Sequence, residues 1–219
     1  MKKFINKVVE GDCLELVREL PDKCVDLVLT DPPYGIGEAN GKNKSRGCLA
    51  KSRDYGNLKW DNEIPSKAHF DEMLRVSKNQ IIFGGNYFVE YLKNSPCWIV
   101  WHKDNGETDF ADCELAWTSF KSATRYIKWR WQGFIQENMK NKDTRYHPTQ
   151  KPLGVMRWIL EKYSKQTDLI LDPFAGSGTT GVACKELGRN FILMEKEAEY
   201  CKIAMKRIES IKHIEQDLF

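Results

Sequence analysis

Apolar positions along the chain fall into two rhythms. Short runs rich in β-branched and aromatic residues predict strands: KFINKVVEG, CVDLVLT, QIIFGG, CWIVWHK, CELAWTSF, DLILDPF and NFILMEK. Between many of them the apolar residues recur at helical spacing. CLELVREL (13–20), SKAHFDEMLRVSKN (66–79), NYFVEYLK (86–93), GVMRWILEKYSK (154–165), TTGVACKELG (179–188) and AEYCKIAMKRIESI (198–211) predict helices. Strand and helix in alternation define an α/β fold, a mostly parallel sheet with helices on both faces. CWIVWHK and CELAWTSF have no long helix between them, which predicts an antiparallel pair at the sheet edge.

Two stretches break the rhythm. GIGEANGKNKSRGCLAKSRDYGNLKW has no periodicity and is too long for an idle connection. KSATRYIKWRWQGFIQENMKNKDTRYHPTQKP is basic, with Tyr126, Trp129, Trp131, Phe134 and Tyr146 interleaved. The 219 residues thus read as one domain, 1–219, with basic loop insertions at about 35–60 and 121–146. Charge sharpens this picture. The net charge of +3 divides into +4 over residues 35–60 and +6 over 121–151, leaving −7 elsewhere. Positive potential concentrated on an otherwise acidic body predicts a polyanionic partner. Seven scattered cysteines show no CxxC or Cys/His zinc spacing, so they read as reduced thiols, and no metal site is predicted. No run of 18 apolar residues and no signal-peptide core occurs, which points away from membranes and toward the cytoplasm.

LILDPFAGSGTTGVACKELG combines a strand, a glycine-rich turn and a helix, an arrangement that lets backbone N–H groups approach a ligand closely. Gly176, Gly178 and Gly181 match GxGxxG, and Glu195 ends the next strand nineteen residues after Gly176, as suits a carboxylate on a ribose. A nucleoside cofactor follows. Asp172, ending its strand at the mouth of the turn, favours a ligand carrying an ammonium group, because the same carboxylate would be repelled by a pyrophosphate. That selects S-adenosylmethionine over a nicotinamide dinucleotide.

LTDPPYGIG ends another strand and should face the same crevice, beyond the carboxyl ends of the sheet. Pro32 and Pro33 have no N–H to give, so the local carbonyls stand as acceptors, Asp31 adds another, and Tyr34 a flat face. The set suits a planar base with an exocyclic amino group. DPPY (31–34), DPFAGSGTT (172–180) and HPTQKP (147–152) together resemble the amino-group DNA methyltransferases that use S-adenosylmethionine. With the catalytic corner ahead of the cofactor corner and a basic stretch between, the order resembles the beta class, from GDCLELV (11–17) through MEKEAEYCKIAMKRI (194–208).

The resemblance implies a Rossmann-like sheet of seven strands, mostly parallel, with the antiparallel pair at its edge. It implies that Asp31, Pro32, Pro33 and Tyr34 form the catalytic pocket. Asp172, Phe174, Gly176, Gly178 and Thr179 would line the cofactor, Glu195 would hold its ribose, Asp12 would lie near its adenine, and Lys151 would reach its carboxylate. DPPY, where cytosine-N4 members often have SPPY, points to adenine N6 as the target. Such a base must be extruded from the duplex, with Tyr34 stacking on it. Lys42, Lys44, Arg46 and Arg53, with Arg125, Lys128, Arg130 and Arg145, would contact double-stranded DNA, and Trp129 and Trp131 would either reach bases or belong to the core. The class also implies a homodimer and the cytoplasm of a bacterial or phage-infected cell. Alternatives are a cytosine-N4 enzyme on the same fold, a nicotinamide oxidoreductase, and a catalytically silent DNA-binding protein.

Overall fold

The computed structural model describes residues 1–36, 64–106, 111–132 and 135–211. In chain order the elements are β1 (Lys7–Glu10), α1 (Cys13–Arg18), β2 (Val25–Thr30), α2 (Lys67–Val76), β3 (Ser77–Phe83), β4 (Trp98–His102), β5 (Cys113–Thr118) and β6 (Arg125–Lys128). Then follow β7 (Trp131–Gln132), β8 (Ile135–Gln136), α3 (Leu153–Tyr163), β9 (Leu169–Asp172), α4 (Thr179–Glu186), β10 (Asn190–Glu195) and α5 (Ala198–Glu209). Among the described residues no helix is long and apolar enough to cross a membrane.

The main sheet has the order β1-β10-β9-β2-β3-β5-β4-β6. Neighbours from β1 through β3 are parallel, β5 runs antiparallel to both β3 and β4, and β6 returns parallel to β4. Alternation along each strand feeds two cores. Leu27, Leu29, Ile81, Phe83, Ile170 and Leu193 face α3, α4 and the end of α5. Val28, Ile82, Leu171, Ile192 and Met194 face α1 and α2, where Phe70, Met73 and Val76 are buried. With both faces covered, the central strands are apolar throughout, which is why they read as continuous runs.

The structure corrects several expectations. Among the described residues the main sheet has eight strands, not seven. The additional one, β6, lies inside the supposed loop 121–146, which also holds the small β7–β8 ribbon. RYIK buries only Ile127 and exposes its other three residues, so an edge strand there carries no apolar alternation. The antiparallel β4–β5 pair is present as expected, but β6 covers its outer side. NYFVEYLK is not an α-helix: it forms one 3₁₀ turn at Gly85–Tyr87 followed by turns. Gly84 enters that turn at φ +66°, Phe88 goes inward against the Phe70 ring, and Val89 is left exposed, so its apolar residues share no single helical face. β3 begins at Ser77, within the stretch read as the end of a helix.

Candidate active site

β9 and β2 are parallel neighbours, Leu27 opposite Ile170 and Val28 opposite Leu171, yet the chain leaves them in opposite directions. From β9 it passes through α4 to β10 on one side, and from β2 through α2 to β3 on the other. This is a topological switch point, where an open α/β sheet has a crevice beyond its carboxyl ends. The two sequence corners, DPPY after β2 and the glycine turn after β9, emerge there side by side. Thr30 Oγ1 ties them by donating to Asp172 Oδ1 at 2.7 Å.

The glycine turn is braced from three directions. Gly178 has φ +79°, and a Cβ there would lie 2.6 Å from the Ala204 Cβ of α5, so both its conformation and its packing demand glycine. Glu195 accepts from the Gly176 N–H at 2.8 Å and the Glu197 N–H at 2.9 Å. Burial pushes its carboxyl above the usual range against those N–H donors. From α5, Arg207 donates to the Ser177 carbonyl, to Ser177 Oγ and to Thr179 Oγ1. From the HPTQKP segment, Gln150 accepts from Ser177 Oγ at 3.1 Å, and the His147 ring lies over Gly176. Burial lowers the His147 pKa to about 3, so this imidazole is neutral.

Asp172 departs from expectation. Its carboxylate is buried and accepts from Thr30, from Thr180 of α4 and from the Phe174 N–H instead of facing the mouth of the site. Burial raises its pKa to about 6 despite these hydrogen bonds. Its place at the end of a strand is as read, but it shapes the turn from behind. Asp12 caps α1, accepting from the Leu14 N–H at 2.9 Å and the Glu15 N–H at 3.3 Å.

At the other corner Asp31 receives the Tyr34 hydroxyl on Oδ1 at 2.6 Å and the Lys151 ammonium on Oδ2. Lys151 was expected at the cofactor's carboxylate. Instead it lies buried between two carboxylates, Asp31 and Glu114, the latter at 3.2 Å, and Lys103 meets the far oxygen of Glu114 at 2.7 Å. Four charges therefore alternate in a chain: Lys103, Glu114, Lys151, Asp31. Burial raises Asp31 above the usual carboxylate range, and the neighbouring Glu114 charge adds to this against the pull of Lys151. Burial acts the same way on Glu114, but Lys151 and Lys103 together outweigh it and hold Glu114 low. Lys151 keeps its proton, since the two carboxylates outweigh its own burial.

Pro32 is buried and Pro33 half-buried beside these groups. The Tyr34 ring is stacked on Tyr87 at 4.9 Å and packed edge-on to Phe88, so Tyr87, 45% exposed, is the aromatic surface at this mouth. Of the predicted DNA-contacting cations, Lys42, Lys44, Arg46 and Arg53 lie outside the described residues. Lys128 and Arg130 both pair with Asp104, and Arg145 donates to the Pro148 carbonyl and lies over the Trp131 ring. Arg125 is exposed on β6. Trp131 is buried and Trp129 packs on Gly154 of α3, so both tryptophans belong to the core. Glu114, Lys103, Gln150 and Arg207 carry structural weight that sequence reading did not assign. The EL alternation in CELAWTSF was the only signal available for Glu114.

The donor set fits S-adenosylmethionine. A shallow groove between α1, α2 and the turn is lined by Cys13, Leu14, Val17, His69, Glu72, Met73, Pro173 and Phe174, apolar along most of its length with polar groups at its edge. The Phe174 and His69 rings face it 6.0 Å apart. Asp12 stands at one end and Glu195, with lone pairs to spare, at the other side of the turn.

A Rossmann-like sheet with an acceptor corner and a nucleoside corner at one switch point defines a group-transfer enzyme of the S-adenosylmethionine type. Comparison with known proteins narrows it. A family model described as DNA methylase, of the N6/N4 methyltransferase type, matches residues 99–206. Type II methyltransferase M.HinfI of Haemophilus influenzae is 27% identical, over 98% of this chain and 71% of its own. Type II methyltransferase M2.DpnII of Streptococcus pneumoniae is 28% identical, over 95% of this chain and 93% of its own. The crystal structure of the M1.HpyAVI–SAM complex superposes with a TM-score of 0.58 at 28% identity, covering 92% of this chain and 98% of that one. These matches support the amino-group DNA methyltransferase class, with S-adenosylmethionine as methyl donor and DNA as substrate.

Proposed function

We propose that the protein methylates the exocyclic N6 of an adenine extruded from double-stranded DNA, with Asp31 as the group that receives the amine. The observation that supports this most is the emergence of Asp31 and the glycine turn from adjacent parallel strands, stitched by Thr30 and Asp172. Bound at the glycine corner, S-adenosylmethionine supplies a methyl group on an electrophilic sulfonium. The chain's own residues do the rest. Adenine's amine is a weak nucleophile because its lone pair is delocalised into the ring. Asp31 and the Pro32 carbonyl, accepting its two hydrogens, favour a pyramidal nitrogen and stabilise the positive charge that develops there. Asp31 then takes the departing proton. Tyr34 orients that carboxylate through its hydroxyl, and Tyr87 offers an exposed ring for the extruded base.

In the cofactor slot Phe174 and Leu14 would cover the adenine, Asp12 its amino edge, and Glu195 the ribose hydroxyls, with the turn at Gly176, Gly178 and Thr179 beneath. Asp172 and Lys151 serve here as supports of the two corners. Arg125, and Lys42, Lys44, Arg46 and Arg53 of the basic segment at about 35–60, are the groups assigned to phosphate contact. A homodimer, implied by the resembled class, is read by sedimentation with and without DNA.

The test is mass spectrometry of nucleosides digested from mixed-sequence duplex DNA after incubation with protein and methyl-labelled S-adenosylmethionine. Labelled N6-methyladenine is the expected product. Labelled N4-methylcytosine would overturn the target, and no labelled nucleoside in the presence of measured cofactor binding would overturn the activity.

A further inference from the structure

We infer that Glu114 and Lys103, which lie outside the sequence motifs of the site, are positioning residues for methyl transfer: through Lys151 they set how strongly Asp31 holds a proton. The inference rests on the reading of Asp31 as the proton acceptor.

Geometry carries it. Lys151 is buried and divides its ammonium between Asp31 and Glu114, and it lies over the Tyr34 and Phe83 rings at 5.6 and 5.2 Å. Those rings favour a cation but neutralise no charge. Glu114, on β5, is in turn divided between Lys151 and Lys103. A carboxylate beside a dedicated ammonium is a weak base, because the ammonium stabilises its ionised form. Glu114 weakens that hold in two ways. It draws part of the Lys151 charge toward itself, and its own negative charge disfavours a second one on Asp31. Lys103 limits the effect by engaging the other oxygen of Glu114.

Among the described residues, other groups also face this centre. Tyr34 donates to Asp31 from its own loop, and Tyr87 stacks behind Tyr34. Asp172, on β9, is turned toward Thr30 and Thr180, and neutral His147 lies over the glycine turn. During transfer the amine nitrogen forms a bond to the methyl carbon, the carbon–sulfur bond breaks to leave a neutral thioether, and the amine proton passes to Asp31. A stronger base at Asp31 favours that last transfer. Glu114 therefore assists a reaction whose atoms it does not touch.

The test reads proton binding at Asp31 directly, in protein without cofactor. In ¹⁵N-lysine-labelled protein the Lys151 ammonium resonance, assigned by its loss in Lys151→Met, should titrate as Asp31 is protonated. Glu114→Gln should move that midpoint down by about one pH unit. The acid limb of the single-turnover methyl-transfer rate should move down with it, and the plateau rate should fall roughly tenfold, a joint shift that lost packing would not produce. Where Glu114→Gln does not fold, Lys103→Met serves instead. It frees Glu114 to draw Lys151 away and should move both midpoints up, while Lys103→Arg keeps the wild-type values. Unmoved midpoints in a folded variant would overturn the inference. If wild-type protein transfers no methyl group, the proposed activity fails on its own, and the ammonium titration still decides the charge chain.

Discussion

The corners after β2 and β9 sit on adjacent strands, yet they are held by opposite means. At the glycine turn buried Asp172 and half-buried Glu195 are satisfied by neutral donors: threonine hydroxyls and backbone N–H groups. At the DPPY corner Asp31 is held by a buried ammonium that it shares with a second carboxylate. Neutral donors of fixed geometry produce a rigid cradle suited to binding one ligand in one pose. Shared charge produces a group whose proton affinity depends on its surroundings, which suits a residue that must take up a proton and release it. On the proposed reading, the two corners divide binding from chemistry.

Asp31→Asn should have the largest effect on this division. It retains the shape and loses the charge, so single-turnover transfer should fall by about 10³-fold or more. Lys151→Met should come next. It leaves Asp31 and Glu114 buried without their shared cation, at a cost of about 3–5 kcal/mol at pH 7.5 by denaturant unfolding. Asp31 without its ammonium has a raised pKa in the folded state, while Glu114 keeps Lys103, so folded protein binds more protons than unfolded. The variant should therefore recover stability relative to wild type as pH falls toward 5. An unchanged gap between pH 7.5 and 5 would place the damage in packing instead of charge.

Gly178→Ala strikes the other corner. With φ at +79° and the new methyl 2.6 Å from Ala204, it should destabilise by about 1–3 kcal/mol and weaken cofactor binding measured by calorimetry. Wild-type stability in that variant would mean that the turn yields easily. The smallest effect belongs to Asp172, whose pKa of about 6 lies above its ordinary value. Its folded form gains a proton as pH drops through 6, so wild type should gain about 1–2 kcal/mol over Asp172→Asn between pH 7.5 and 5. Parallel melting curves across that range would show that Asp172 does not titrate in the folded protein.

The same contrast explains what the sequence discloses. Local backbone constraints, such as two prolines ending a strand or glycines at a strand-to-helix turn, are written in consecutive residues, so DPPY and DPFAGSGTT were legible, as was the alternation that builds the parallel half of the sheet. Glu114 was not. It lies 37 positions before Lys151, and only the placement of β5 between β3 and β4 brings it to Asp31. Lys103 is hidden for the same reason. The direction of the Asp172 carboxylate depends on Thr30, 142 residues away, so the motif disclosed the residue but not its orientation. β6 escaped because an edge strand with one buried residue in four has no period to detect. The charge count was sound, but Lys128, Arg130 and Lys151 spend their charge on Asp104, Asp31 and Glu114 within the protein.

The division of labour between the corners is tested most directly by calorimetric titration of the Asp31→Asn protein with S-adenosylmethionine. An affinity within about threefold of wild type, in a protein that no longer transfers methyl groups, is the result predicted by the proposed division between chemistry at Asp31 and binding at the glycine turn. Cofactor affinity lost together with transfer would contradict it and make the two corners a single binding unit.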